Sequence, residues 1–141
     1  MSETIIDSAM NQAYQETEYR VQGDEPFTLR VGQASKVLAI LQKRLRVDCS
    51  AYITACNPYS QQLDDATNMQ RHAELGRELR QRSLIAFEGV GQHPSNQWLG
   101  EVSYLILGLT LEAAKVLGSR LEQNAIVWSG ADAVPQLILL R

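Results

Sequence analysis

The spacing of apolar positions changes several times along the chain, and each change marks an element. Ile5, Ala9, Met10 and Ala13 fall near helical spacing, which predicts an N-terminal helix over residues 5–15. "TEYRV" and "PFTLRV" alternate in period two, through Tyr19 and Val21 and then Phe27, Leu29 and Val31. The "QGDE" between them has turn chemistry, so the two read as an antiparallel hairpin. Pro26 opens the second strand, where a missing N–H is tolerated. In "ASKVLAILQKRLRV", Ser35 is an N-cap candidate and Val37, Leu38, Leu41 and Leu45 form a helical stripe.

"AYITAC" carries mostly apolar residues on both faces, as a central strand covered on two sides does. A long helix is expected over residues 64–82, followed by strands at "SLIAFEG" and "VSYLILGL". Thr110 then caps a helix lined by Leu111, Ala114, Leu117 and Leu121, and "NAIVW", "SGADA" and "PQLILL" close the chain as a hairpin. The expected fold is α/β (α+β): a single domain over residues 1–141, frayed at 1–4, with a mixed, largely antiparallel sheet. About seven strands and about four helices are counted, with the helices packed on the sheet.

Charge and composition narrow the function classes. The chain has 13 basic and 16 acidic side chains, a net charge of −3, so general nucleic-acid binding is not expected. The densest basic cluster, Arg71, Arg77, Arg80 and Arg82, is interleaved with Glu74 and Glu78 and reads as a solvated helix face. The start has no basic segment before an apolar run, and the longest apolar run, "YLILGLTL", is far short of the roughly 20 residues that span a bilayer. Cys49 and Cys56 lie seven residues apart in one extended segment, about 23 Å, too far to bridge each other. These features together predict a cytoplasmic protein without membrane association.

Candidate chemistry gathers where the central strand stops. Pro58 cannot donate to a ladder and pushes Asn57 out of helical geometry, so the strand over residues 52–56 ends in a polar turn. Ligands of open sheets collect at such strand ends, with Thr54, Asn57 and Ser60 at the rim. The plainer alternative is that Asn57 and Ser60 cap the turn with their own side chains. On the next helix, Asp64, Asn68, Arg71 and Leu75 fall in one stripe, and Met69, Gly76 and Leu79 lie toward the buried side. Arg71 there would hold a carboxylate or phosphate, or pair with Asp64 or Asp65.

The third feature, "EGVGQHPSNQWLGE", reads as a long irregular loop that could act as a lid. It holds His93, Asn96, Trp98 and Glu101, and Trp98 could instead fold back onto apolar surface. Its Gly89 and Gly91 make only a lone GxG. No hydrolase elbow, phosphate loop or dinucleotide fingerprint is present, so no cofactor is expected. His72 and His93 lie far apart without CxxC or HxxxH, so no metal is expected either. His72 reads as a hydrogen-bonded core histidine. A Cys56 nucleophile with His93 as base would lack a visible orienting group. Gln123 and Asn124 follow a helix end, where a capping role is the first expectation and ligand contact the second.

"AYITACNPYS", "NMQRHAEL", "WLGEVSYLILG" and "QNAIVWSGADAVPQLILL", in that order, resemble an uncharacterised bacterial domain-of-unknown-function family. The resemblance covers nearly the whole chain from Ala13 onward. Cys56 departs from it, since a bulky aromatic usually precedes Asn-Pro there. The resemblance implies a small cytosolic stand-alone domain of no established activity. The polar positions it implies are Thr54, Asn57, Pro58, Ser60, Asn68, Arg71, Glu101, Ser103 and Gln123.

The leading expectation is therefore a module that binds a small polar or anionic ligand at the end of the 52–56 strand, under the 89–100 loop. Its contacts would be Thr54, Asn57, Ser60, Asn68, Arg71, Trp98, Glu101 and Ser103. The first alternative is an enzyme using the same pocket, with Glu101 or His93 as acid or base. The second is an interaction protein, such as a homodimer, pairing through the edge of the C-terminal hairpin.

Overall fold

A computed structural model describes residues 4–95 and 100–141. Of the expected frayed start, residues 1–3 lie outside the described residues. The described chain holds four helices and seven strands, as the periodicities predict. They run α1 Ser8–Glu16, β1 Glu18–Val21, β2 Phe27–Leu29, α2 Lys36–Arg44, β3 Ser50–Ile53, α3 Asp65–Gln81, β4 Ile85–Gln92, β5 Glu101–Leu107, α4 Leu111–Arg120, β6 Ala125–Ser129 and β7 Pro135–Leu139.

Side-chain caps start the helices. Asp7, Ser35, Asp64 and Thr110 each accept the N–H of the residue three further on, satisfying a donor the helix itself cannot. Asp7 sets the start of α1 later than its apolar spacing suggests. A left-handed Glu122, at φ 61°, follows the end of α4, so neither Gln123 nor Asn124 serves as its positive-φ residue.

The seven strands form one sheet in the order β2-β1-β4-β5-β3-β6-β7. Every pairing among them is antiparallel, so the expected mixed component is absent from the described residues. β3 is central, paired with β5 and β6. One face packs Ala51, Ile53 and Ile106 against Leu75 and Leu79 of α3 and Ala114 and Leu117 of α4. The other packs Tyr52, Leu105, Leu107 and Val127 against Leu38 and Leu41 of α2. Ala51 and Ile53 on one face are at most 1% exposed and Tyr52 on the other is 4% exposed, the two-sided burial expected of a central strand.

Two boundaries differ from the sequence reading. The paired part of β3 ends at Ile53, three residues before Cys56. There Thr54 takes over from the ladder: its hydroxyl donates to Val102 O (2.8 Å) and accepts the N–H of Cys56 (3.0 Å). β4 continues through Gly89 and Gly91 to Gln92, and β5 begins at Glu101, so the first part of the expected loop, residues 88–92, and its last residue, Glu101, are strand. Gly89 pairs with Ser103 and Gly91 with Glu101. Gly89 suits a ladder position that a neighbouring backbone crowds, since a Cβ there would sit 2.0 Å from Arg20 O. No helix of the described residues is long and apolar enough to cross a membrane.

Candidate functional site

Antiparallel register decides which side chains share a face. Tyr19 lies opposite Gly91, Gly91 opposite Glu101, Gly89 opposite Ser103 and Tyr52 opposite both Leu105 and Val127. With period-two alternation, these positions and Thr54 point to the face that α2 covers. α2 packs on this face around Leu105 and Leu107. Beside it lies a cavity of about 570 Å³, floored by Tyr19, Tyr52, Gly91 and Val127, with no α2 residue among its described lining residues. Tyr14 and Thr17, from α1 and its end, line the far wall.

The polar end is built on Asn57. Its backbone is left-handed, at φ 49° and ψ 66°, a conformation Asn tolerates and one outside the extended range to which a following proline biases its neighbour. Asn57 and Asn68 exchange hydrogen bonds: Asn57 N donates to Asn68 Oδ1 (3.0 Å) and Asn68 Nδ2 to Asn57 Oδ1 (2.9 Å). Asn57 Oδ1 also accepts Leu63 N (2.9 Å), while Asn57 Nδ2 donates to Glu101 Oε2 (2.7 Å). The side chain thus ties the loop to α3 and orients the carboxylate of Glu101, instead of capping the short 3-10 turn at 58–60. Tyr59 and Ser60 are also left-handed, at φ 54° and 60°, costing roughly 1–2 kcal/mol each. Tyr59 N donates to Glu122 O (2.7 Å) and the Arg141 guanidinium lies 3.9 Å over its ring, contacts that hold this strained rim.

Burial pushes the Glu101 carboxyl above the ordinary glutamate range, and the Asn57 hydrogen bond offsets this only in part. The lining hydroxyls have directed donors. Thr17 donates to Ala13 O (2.7 Å), Tyr19 to Tyr14 O (2.6 Å), Tyr52 to Arg20 O (2.7 Å) and Ser103 to Glu101 O (3.0 Å). Burial raises the pKa of both Tyr19 and Tyr52, keeping them as neutral phenols. Cys56 lines the cavity but is 2% exposed, and burial raises its thiol pKa, the reverse of what a thiolate nucleophile needs.

Of the residues expected at the site, Thr54, Asn57, Ser60, Asn68, Glu101 and Ser103 line the cavity together, and so do His93 and Gln123. Trp98 and Asn96 lie outside the described residues. Arg71 is not among the lining residues. Its Nε donates to Ala55 O (2.5 Å) and an Nη to Leu121 O (2.8 Å), so it neither faces a ligand nor pairs with Asp64 or Asp65. The reason is local: β3 has stopped pairing at Ile53, and the Ala55 carbonyl needs a donor. Met69, expected on the buried side, is 53% exposed at the cavity's edge. His93 Nε2 lies 3.0 Å from Glu16 Oε2, joining β4's end to α1.

His72 stands apart, 2.8 Å from Glu88 and stacked on Tyr104, a hydrogen-bonded core histidine as expected. Tyr14, Tyr19 and Tyr52 were not singled out as site residues by sequence, whereas Asn124 was, with ligand contact as its second expectation. Asn124 Nδ2 donates to Tyr14 Oη and Ser60 Oγ, both at 3.1 Å, closing the cavity's second end. A signal for the floor was present: Glu101 and Ser103 alternate within an otherwise apolar strand, with Gly91 and Gly89 opposite them. Among the described residues, no group of three or more His, Cys, Asp or Glu is arranged to hold a metal ion.

A family model described as "Protein of unknown function (DUF3293)" matches residues 53–126, just over half of the chain. The chain belongs to this family. The matched span carries Thr54, Asn57, Asn68, Glu101, Ser103 and Asn124, while Tyr14, Thr17, Tyr19 and Tyr52 lie outside it. No curated protein and no solved structure matches the chain.

Proposed function

We propose that the chain is a binding module for a small polar ligand, seated in the cavity between the sheet face and α1. The observation that carries this reading is the cavity of about 570 Å³, a size typical of small-molecule sites, with an apolar floor and convergent polar groups at one end. The strained residues Tyr59 and Ser60 at its rim add support, since backbone strain concentrates at functional sites. Of the two ligand types expected from sequence, polar and anionic, the lining supports the first. Arg71, the expected anion partner, is committed to backbone carbonyls.

Gly91 provides the test. A Cβ there would make only ordinary contacts, 3.8 Å to Thr17 and Tyr19, so Gly91→Val fits the strand while its methyls fill the cavity floor. In a thermal-shift screen against amines, amino acids, nucleosides and sugars, a ligand of this cavity raises the melting temperature of wild type and not of Gly91→Val. Hits that shift both proteins equally would place binding elsewhere and sink the reading.

The second reading, an enzyme using the same cavity, draws on Glu101 alone. A buried carboxyl with a raised pKa is suited to general acid or base work. Turnover of a bound compound by wild type that survives in Glu101→Gln would dispose of that role.

A further inference from the structure

The hydrogen-bond census of the cavity has a direction. Thr17, Tyr19, Tyr52, Thr54 and Ser103 each give their single hydroxyl proton to a main-chain carbonyl, at 2.6–3.0 Å. A hydroxyl has one proton and two lone pairs, so what these groups retain for a guest is acceptor capacity. Glu101 adds a carboxylate, also acceptor-only when ionised. Among the described residues, Asn57 is the one side chain that donates to it, through Oε2. The described lining contains no lysine or arginine, and Asp65 adds a second acidic group at the exposed mouth. Tyr19 and Tyr52, their protons used, offer ring surface at the floor.

We propose that this cavity recognises an organic cation: a primary ammonium or guanidinium head whose N–H groups meet Glu101 and the hydroxyl oxygens, on an apolar body lying over the tyrosines. This rests on the reading of the cavity as a ligand site and names the ligand class. An anion would face the like charge of Glu101 and hydroxyls whose protons are already given away, with no lysine or arginine among the described lining residues, while a donor-rich cation suits both. Charge-assisted hydrogen bonds to a carboxylate are about twice as strong as neutral ones, and aromatic rings beside a cation add to the attraction. A carboxyl in so buried a place gains from a cation what the interior withholds, since an adjacent positive charge favours its ionised form.

Three probes of one shape and different head charge separate the outcomes: benzylamine, benzyl alcohol and benzoate, titrated at equal ionic strength near neutral pH. Binding is followed by two-dimensional NMR at the amides of Thr54, Gly91 and Ser103. Benzylammonium is expected to perturb these amides with an affinity about tenfold or more above that of benzyl alcohol, the least a hydrogen bond to a charged group supplies. Benzoate is expected to bind most weakly. Glu101→Gln should bring the amine down to the level of the alcohol, whereas Asp65→Asn should leave the preference in place.

Equal or tighter binding of benzyl alcohol or benzoate at those amides would overturn the cation preference and leave the ligand cavity standing. So would an amine preference that persists in Glu101→Gln. If none of the three perturbs these amides in wild type, or all perturb Gly91→Val as strongly, the ligand-site reading falls together with the inference. Should Glu101→Gln fail to fold, the ranking of the three probes on wild type decides by itself.

Discussion

Glu101 is a carboxyl held inside the protein by one amide hydrogen bond, so its protonation is linked to folding. Its folded-state pKa lies above the ordinary value of 4.5 because burial penalises the charge. Between the unfolded value and the raised folded one, the native state therefore binds more protons than the unfolded state. Stability from this group is greatest below about 4.5 and is lost as pH rises through the folded pKa. Glutamine keeps an oxygen for Asn57 Nδ2 and never ionises, so Glu101→Gln is expected to raise the melting temperature at neutral pH. The gain over wild type should shrink toward zero as pH falls to 4.5. Thermal melts across pH 4–8 check this, and a variant less stable than wild type at neutral pH would contradict it. At this scale the sequence was informative about which residues meet, because Thr54, Asn57, Asn68 and Glu101 are polar residues beside apolar runs. Arg71 misled, because the need of the Ala55 carbonyl for a donor depends on where β3 stops pairing.

Among the elements, α1 differs from the other helices in burying no residue. Its Tyr14 and Glu16 are held by hydrogen bonds to Ser60, Asn124 and His93 around the cavity. A nine-residue helix is marginal alone, and polar contacts at the surface add little. Its amides are therefore expected to exchange with solvent by local opening, well before those of β3, β5 or α4. Hydrogen exchange followed by mass spectrometry checks this, and protection of residues 8–16 equal to that of the central strands would refute it. A ligand in the cavity should slow exchange in α1 more than in α4, since Tyr14 of α1 lines the cavity and no residue of α4 is among its described lining. The caps Ser35 and Thr110 were legible because capping is local chemistry. The extent of β4 was not. Gly89 and Gly91 carry the composition of a loop, and only pairing with Ser103 and Glu101 makes them strand.

For the molecule as a whole, local pattern and long-range pairing divide the result. The sequence by itself determined the element count and the order of elements along the chain. It also determined the two-sided burial of the central strand, because apolar period and capping act over a few residues. It pointed to the turn at Asn57 as well, since Pro58 restricts its neighbour whatever surrounds it. Tertiary structure alone decided the strand order and the wholly antiparallel pairing, which join residues some 50 or more apart in sequence, such as Ser50 with Leu107 and with Ser129. It also decided that α2 does not reach the cavity on one sheet face, where Tyr19, Tyr52 and Glu101 gather beside α1. Nothing within a few residues of Tyr52 specifies that its ring floors that cavity, because its neighbours there arrive from β1, β5 and β6. Which protons the hydroxyls give away, and hence what kind of ligand the cavity suits, follows from carbonyls as distant as Arg20 from Tyr52. Such pairings form only when the chain has folded.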